Sequence, residues 1–274
     1  MNKQRYLMCP PLFFDVEYEI NPWMRGNRGI VARETATTQW NALAHLLSDR
    51  LAHSVDVLTP QPGLPDLVFT ANAGLAYGTT VIPARFRHCE RQGEVPHFVA
   101  WFAQHGWHLE SLPADAGAFE GAGDALFDTA DPALLWAAYG FRTDLAAHAH
   151  VSRMLDVEVA SLKLVDRRFY HLDTCFCPLP GGRLLWYPPA FARESQALVE
   201  QRVPSGHRLA VSTEDALAFA CNAVAVDAEH VVLHHASRAL VDSLRAWGIR
   251  SHLTPLSEFL KSGGAAKCLT LCLN

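Results

Sequence analysis

No apolar run in the 274-residue sequence approaches the ~20 residues that a membrane-spanning helix requires, so no membrane partner is expected. Excess positive charge is missing too. The chain carries 23 Lys and Arg against 28 Asp and Glu, a net charge of −5, which offers no basic field for nucleic acid. The opening Met1–Tyr6 lacks a following apolar core and a small-residue cleavage site, so no secretory leader is expected. Seven cysteines, an odd number, fit reduced thiols in the cytoplasm better than a disulfide framework. No Gly-x-Ser-x-Gly elbow or phosphate-binding loop occurs. Metal-ligand spacing is absent as well: Cys175-x-Cys177 is too tight for a zinc knuckle, and His148, His150, His234 and His235 have no Cys or carboxylate partner pattern. No long Pro/Ser/Gly linker divides the chain, which reads as one domain over 1–274.

What is present is a recurrence. Helix-like segments are each followed by an apolar strand: Trp40–Ala52 then Ser54–Leu58, Phe98–His105 then Trp107–Leu112, Leu145–Leu155 then Val157–Val165, Glu194–Arg202 then His207–Val211, and Ser237–Trp247 then Ile249–Leu253. Leu240, Leu244 and Trp247 give the last helix a single apolar stripe, and Gly248 ends it. Hairpins are expected around Pro180-Gly181-Gly182 and around Asp227–His230. Between the units a polar residue opens each strand pair: Asn72, Glu120, His171, Asn222 and Cys268, separated by 48, 51, 51 and 46 residues. A period of roughly 50 residues suggests a closed array about an axis. One polar residue from each unit would then face a central cleft.

Within that pattern, Tyr170-His171-Leu172-Asp173-Thr174 reads as strand, which would put His171 and Asp173 on one face. A His that trades protons near neutral pH gains from a carboxylate neighbour. Cys268 follows the Gly-rich Lys261–Lys267 stretch, so Lys267 beside it would favour an electropositive thiolate. The plain alternative is a small buried hydrophobe, as for the other cysteines. Glu120 and Asp124 lie in the loop Phe119-Glu-Gly-Ala-Gly-Asp124, where glycines let backbone approach a ligand. Asp66 and Asn72 bracket an apolar segment. Arg91 and Arg142 could each fork onto a carboxylate, or be ordinary surface arginines.

Together these pieces resemble the guanidino-modifying pentein superfamily, which includes arginine deiminase, dimethylarginine dimethylaminohydrolase, glycine amidinotransferase and arginine dihydrolase. The motifs Pro65-Asp66-Leu-Val-Phe69, Phe119-Glu120-Gly-Ala-Gly-Asp124, Phe141-Arg142-Thr143, His171-Leu-Asp173-Thr174 and Gly263-Gly264 before Cys268 occur in the family order and span nearly the whole chain. The resemblance implies an α/β fold, a five-bladed propeller without a cofactor or metal. It implies Cys268 as nucleophile on the central guanidino carbon and His171 as proton donor to the departing amine, then activator of water. Glu120 would orient His171. Asp173 would pair with substrate N–H groups, Arg142 and Arg91 would bind the α-carboxylate, and Asp66 would sit near the α-amino group, with Asp124 also at the substrate.

One position departs from the pattern. Deiminases and dimethylaminohydrolases resemble each other in carrying Asp where this chain has Asn72. An amide offers an acceptor and a donor pair, so it suits a ureido oxygen as well as a guanidinium. Arginine dihydrolases look similar here, with Asn at this position and an N-terminal segment like Glu17–Met24, in which Asn21 is a further candidate contact. The implied activity is hydrolysis of arginine or citrulline C–N bonds with release of ammonia. A dedicated citrulline hydrolase, an amidinotransferase and a non-catalytic binding propeller are the other readings, and a homodimer is a reasonable expectation for the class.

Overall fold

Each repeat folds into the same unit: an antiparallel hairpin, then a helix, then a third strand parallel to the second. The computed structural model describes residues 3–273; Met1, Asn2 and Asn274 lie outside the described residues. The chain opens with β1 (Arg5–Met8), a long strap over residues 9–32, helix α1 (Arg33–His45) and β2 (Ser54–Val57). The second unit is β3 (Gly74–Tyr77), β4 (Thr80–Pro83), the one-turn α2 (Cys89–Gln92), α3 (Val95–Gln104) and β5 (His108–Leu109). The third is β6 (Ala125–Phe127), β7 (Leu134–Tyr139), α4 (Leu145–Leu155) and β8 (Glu158–Lys163). The fourth is β9 (Phe176–Leu179), β10 (Arg183–Trp186), α5 (Arg193–Arg202) and β11 (Arg208–Ala210). The short α6 (Thr213–Leu217) leads to the fifth: β12 (Val224–Ala225), β13 (His230–Leu233), α7 (Arg238–Ala246) and β14 (Arg250–Leu253).

The ring closes through its ends. After α8 (Ser257–Leu260), β15 (Leu271–Cys272) returns to pair antiparallel with β1, Tyr6 opposite Cys272 and Leu7 opposite Leu271. The first sheet is therefore β15-β1-β2, equivalent to the other four, and the architecture is a five-bladed α/β propeller. In every blade the inner strand pairs antiparallel with the middle one, which pairs parallel with the outer one across a helix. Parallel neighbours need such a crossover because a tight turn can only reverse the chain.

The helices pack outside the ring, and apolar side chains fill the space between them and the sheets. Trp136, Phe176 and Trp186 are at most 2% exposed in one cluster, and Phe98, Phe102 and Phe119 lie wholly buried in the next. Side chains of this size contribute about 1.5–3 kcal/mol each on burial. Ser212 and Ser237 cap α6 and α7 by accepting the N–H of Asp215 and Leu240. Among the described residues no helix is long and apolar enough to cross a membrane.

The sequence overstates several elements. The helix expected at Trp40–Ala52 starts seven residues earlier, ends at His45 and continues as a wider turn over Leu46–Arg50. Trp107–Leu112 contributes two strand residues, His108 and Leu109. His171 and Asp173 are not on a strand at all. Leu172–Thr174 forms a 3-10 turn that His171 precedes, so period-two alternation does not apply there.

Candidate active site

Tight turns, not strands, present the five periodic polar residues. Asn72 lies in the 3-10 turn Thr70–Ala73; Glu120 and His171 each precede such a turn, at Gly121–Gly123 and Leu172–Thr174. All five residues, Asn222 and Cys268 included, are at most 3% exposed. The turns meet at one end of the ring because each leads into an inner strand.

Cys268 is fixed by Asn222. The Asn222 Oδ1 accepts the backbone N–H of Ala265 at 3.0 Å and of Cys268 at 3.1 Å, while Nδ2 donates to Cys268 Sγ at 3.0 Å and to the Asp173 carbonyl at 3.1 Å. Cys268 Sγ also lies 3.3 Å from Asp173 Oδ2. Burial first, then the Asp173 charge, hold the thiol well above its ordinary pKa. The electropositive thiolate expected from the sequence is not what the fold builds: the thiol is neutral, and Lys267 lines a different cavity. Gly263 is required before this turn. Its φ of +84° is left-handed, and a Cβ there would meet Tyr170 Oη at 2.9 Å.

His171 Nε2 and Glu120 Oε2 are 2.7 Å apart. Arg142 Nη1 donates to the same oxygen at 3.0 Å, and the Arg87 backbone N–H donates to Oε1 at 3.2 Å. Burial opposes the Glu120 charge, but Arg142 and His171 outweigh it and hold the carboxyl well below its usual range. Burial, against the pull of Glu120, pushes His171 down to about 4. The pair is therefore carboxylate and neutral imidazole near pH 7. An acceptor at Nε2 places the proton there and leaves Nδ1 as the basic nitrogen.

Asn72 is oriented by two groups that can each bond in one sense only. Arg91 Nη1 donates to Oδ1 at 2.9 Å, and Nδ2 donates to the Glu120 carbonyl at 3.1 Å. One lone pair of Oδ1 and one N–H of Nδ2 are thus used, which fixes which end is which and leaves one acceptor and one donor position on the amide. Gly123 makes room: a Cβ there would lie 2.2 Å from Asn72 Nδ2.

Arg91 does not serve as a free anion site. It holds Glu94 through Nε and Nη2, each at 2.8 Å, and also donates to Asn72 and to the Asp66 carbonyl, which occupies four of its five N–H groups. Arg142 is likewise engaged, with Glu120 and, through Nη2 at 3.1 Å, with the Ile20 carbonyl, over the Tyr170 ring. Asp66 accepts from Tyr18 Oη at 2.9 Å and from Ser262 Oγ at 3.4 Å, with burial raising its pKa against the pull of Arg91. Asn21 caps the turn Pro22–Met24 with Oδ1 and donates Nδ2 to the Ser262 carbonyl at 3.0 Å, tying the strap to the loop before Cys268.

Nine of the ten candidate residues thus surround one tight cavity or touch a residue that lines it; Cys268, His171, Asn72, Asp66, Arg91, Arg142 and Asn21 are in its wall. The tenth, Asp124, is set back. Its carboxyl joins Thr143 Oγ1 at 2.7 Å to the Leu172 N–H at 3.1 Å, linking the Glu120 and His171 turns rather than meeting a ligand. A vestibule of about 500 Å³ lies outside, sharing Ile20, Asn21, Arg142 and Tyr170 and flanked by Arg25, Arg87 and Arg167. Asn222, Tyr18 and Glu94 were not singled out as site residues from the sequence. Asn222 held a repeat position and Glu94 stands three residues from Arg91, but nothing local marks Tyr18. Among the described residues no cluster of three or more His, Cys, Asp or Glu is placed to hold a metal ion.

No family model matches the sequence. The N(G),N(G)-dimethylarginine dimethylaminohydrolase of Mycobacterium tuberculosis is 41% identical over 268 residues, covering 98% of this chain and 85% of that protein. The chain belongs to the dimethylarginine dimethylaminohydrolase family. Within the wider guanidino-modifying group, it is 52% identical over 267 residues to the bifunctional arginine dihydrolase/ornithine cyclodeaminase ArgZ of Synechocystis sp.. That match covers 97% of this chain but spans 37% of the length of the relative. Solved structures of the N-terminal domain of ArgZ superpose with a TM-score of 0.96 at 50% identity over 99% of this chain and 98% of theirs. One is a cysteine-to-serine mutant bound to substrate, and another is covalently bound to a reaction intermediate.

Proposed function

We propose that this protein is a dihydrolase, converting arginine through a citrulline stage to ornithine, two ammonia and carbon dioxide, with Cys268 as the covalent nucleophile. The observation that carries the choice is the Asn72 amide, oriented by Arg91 and the Glu120 carbonyl, which keeps an N–H uncommitted beside its remaining lone pair. A carboxylate at this place would favour a guanidinium alone. An N–H donor favours the carbonyl oxygen that citrulline carries.

The chemistry follows from the protonation states. Thiol and imidazole are both neutral before substrate binds. An arriving guanidinium brings the positive charge that favours a thiolate, with Asp173 beside the sulfur to accept its N–H groups. The thiol proton passes to His171 Nδ1, the thiolate attacks the guanidino carbon, and the proton leaves with ammonia. Glu120 stabilises the imidazolium formed on the way, as its hydrogen bond and low pKa require. Water, deprotonated by His171, then displaces the sulfur and yields citrulline. A second cycle on the ureido carbon releases the second ammonia; hydrolysis of the thiocarbamate gives a carbamate that loses carbon dioxide. Arg142 and the cationic vestibule would meet the α-carboxylate.

The test is to incubate pure protein separately with arginine, citrulline and dimethylarginine, and to quantify ammonia, dimethylamine, citrulline and ornithine. Ornithine from arginine is the expected result. Citrulline accumulating from arginine would make the protein a deiminase and overturn the reading of Asn72. Ornithine from citrulline alone would make it a citrulline hydrolase, and dimethylamine release would move the substrate to methylated arginine.

A further inference from the structure

A second cavity, of about 140 Å³, lies at the opposite end of the ring from the substrate cavity. The five turns mark one end of the axis; the inner strands β6, β9, β12 and β15 run away from them, and residues of those strands form this rear wall. Its lining is mostly apolar, with Phe127, Phe176 and Pro178 among the wall residues, and Lys267 is its one cationic residue. Lys267 directly precedes Cys268, yet the two side chains line opposite cavities. The Lys267 ammonium forms no ion pair within 4 Å among the described residues; its one hydrogen bond is a long one, 3.5 Å, to the Thr270 carbonyl.

Asp173 is wholly buried and is tied to the Lys267 turn through Asn222, which donates Nδ2 to the Asp173 carbonyl at 3.1 Å and accepts the Lys267 backbone N–H at its own carbonyl at 3.3 Å. Its Oδ2 meets Cys268 Sγ at 3.3 Å, and its Oδ1 has no hydrogen-bond partner. The titratable groups around it are almost all of one kind. Cys268, Cys175, Cys177, Tyr170 and Asp124 become neutral or negative, never positive. Burial drives Asp173 up to about 7, and the strongest charge opposing this is Lys267. A buried carboxylate with one free oxygen needs a compensating charge to remain ionised.

We propose that Lys267 is a positioning residue for the catalytic centre: from the far side of the ring its ammonium keeps Asp173 in the carboxylate form that receives guanidinium N–H groups. Placing the cation behind Asp173 supplies charge without occupying the substrate cavity. An ammonium on the substrate side would repel the guanidinium it is meant to help bind. This role rests on the guanidino-substrate reading above.

The decisive measurement is the carbon-13 NMR titration of the Asp173 carboxyl, assigned against Asp173→Asn, in the full chain and in Lys267→Met, Lys267→Gln and Lys267→Arg. Loss of the charge is expected to raise the Asp173 midpoint by about one pH unit or more, and Lys267→Arg to restore it. Arginine binding to the Cys268→Ser protein, measured by calorimetry across the same pH range, is expected to follow: about tenfold weaker below the midpoint when Lys267 is Met or Gln. An unmoved midpoint in folded Met and Gln variants overturns the proposal, as does an equal shift in the Arg variant, which would mean packing rather than charge. If Cys268→Ser binds no arginine at any pH, the functional reading fails, and the NMR midpoint alone decides the role of Lys267.

Discussion

Asn222 grips the nucleophile from both sides of the peptide unit, accepting the Cys268 backbone N–H at 3.1 Å and donating to its Sγ at 3.0 Å. The same amide holds Ala265 and the Asp173 carbonyl, so one residue joins the nucleophile turn to the His171 turn. All four hydrogen-bonding positions of the amide are used.

Asn222→Ala leaves buried N–H and C=O groups unpaired, at a cost of about 1–3 kcal/mol for each group that cannot find water. We expect a clearly lower melting temperature and at least a tenfold loss of kcat. Asn222→Asp retains the acceptor but sets a second carboxylate beside the thiol, so turnover falls more than stability does. Thermal melts and ammonia release measured side by side check both, and full activity in the alanine variant would remove Asn222 from the site.

Cys268→Ser is expected to fold and melt like the parent while turnover drops about 10³-fold or more, because a hydroxyl in this buried setting is a far weaker nucleophile. Substrate should still bind. A serine variant that turns over normally would end the covalent mechanism.

Asp173→Asn separates stability from activity. Burial raises the native Asp173 pKa to about 7, above its unfolded value, so the native state binds this proton more readily than the unfolded chain does. The ionised form is therefore a cost that is absent below the unfolded carboxyl pKa and grows as pH rises through about 7. The asparagine variant should gain melting temperature relative to the parent at pH 8 and match it near pH 4, while losing activity throughout. A stability gain that is constant with pH would contradict this assignment.

Arg91→Met strands the Glu94 carboxylate, which is 1% exposed and bound through both Arg91 donors. Removing one partner of a buried pair costs about 3–5 kcal/mol. The Asn72 amide also loses the group that fixes its orientation, so the ratio of ornithine to citrulline should fall even in protein that remains folded. Denaturant melts and product analysis read the two effects separately.

Asn72→Asp replaces an N–H donor by an acceptor at the same place. Citrulline, whose ureido oxygen would then face a carboxylate, should leave rather than react again. Product analysis from arginine should shift from ornithine to accumulated citrulline, and unchanged ornithine yield would deny Asn72 its role.

Much of the architecture was legible because the chain repeats. The ~50-residue spacing of Asn72, Glu120, His171, Asn222 and Cys268 located all five inner turns, and Leu145–Leu155 is a helix at the bounds its apolar spacing implies. Short edge strands were overestimated, as at Trp107–Leu112, since apolar residues in a loop over the core look like strand residues. Turn geometry was missed at His171–Asp173 for a related reason: a 3-10 turn is held by backbone bonds that any residue can make.

The sequence by itself determined which side chains could react, since thiol, imidazole and carboxylate are fixed by residue type and their order along the chain by the repeat. Their states were decided only in three dimensions. Lys267 is the neighbour of Cys268 in sequence but lines another cavity, while burial and then the Asp173 charge push the thiol pKa up. Arg91, read from sequence as a carboxylate fork for substrate, has four of its five N–H groups held inside the protein, whereas Arg142 commits only two, to Glu120 and the Ile20 carbonyl. The physical reason is that charge, pKa and hydrogen-bond capacity depend on burial and on partners up to a whole blade away, and closing the ring is what brings those partners together.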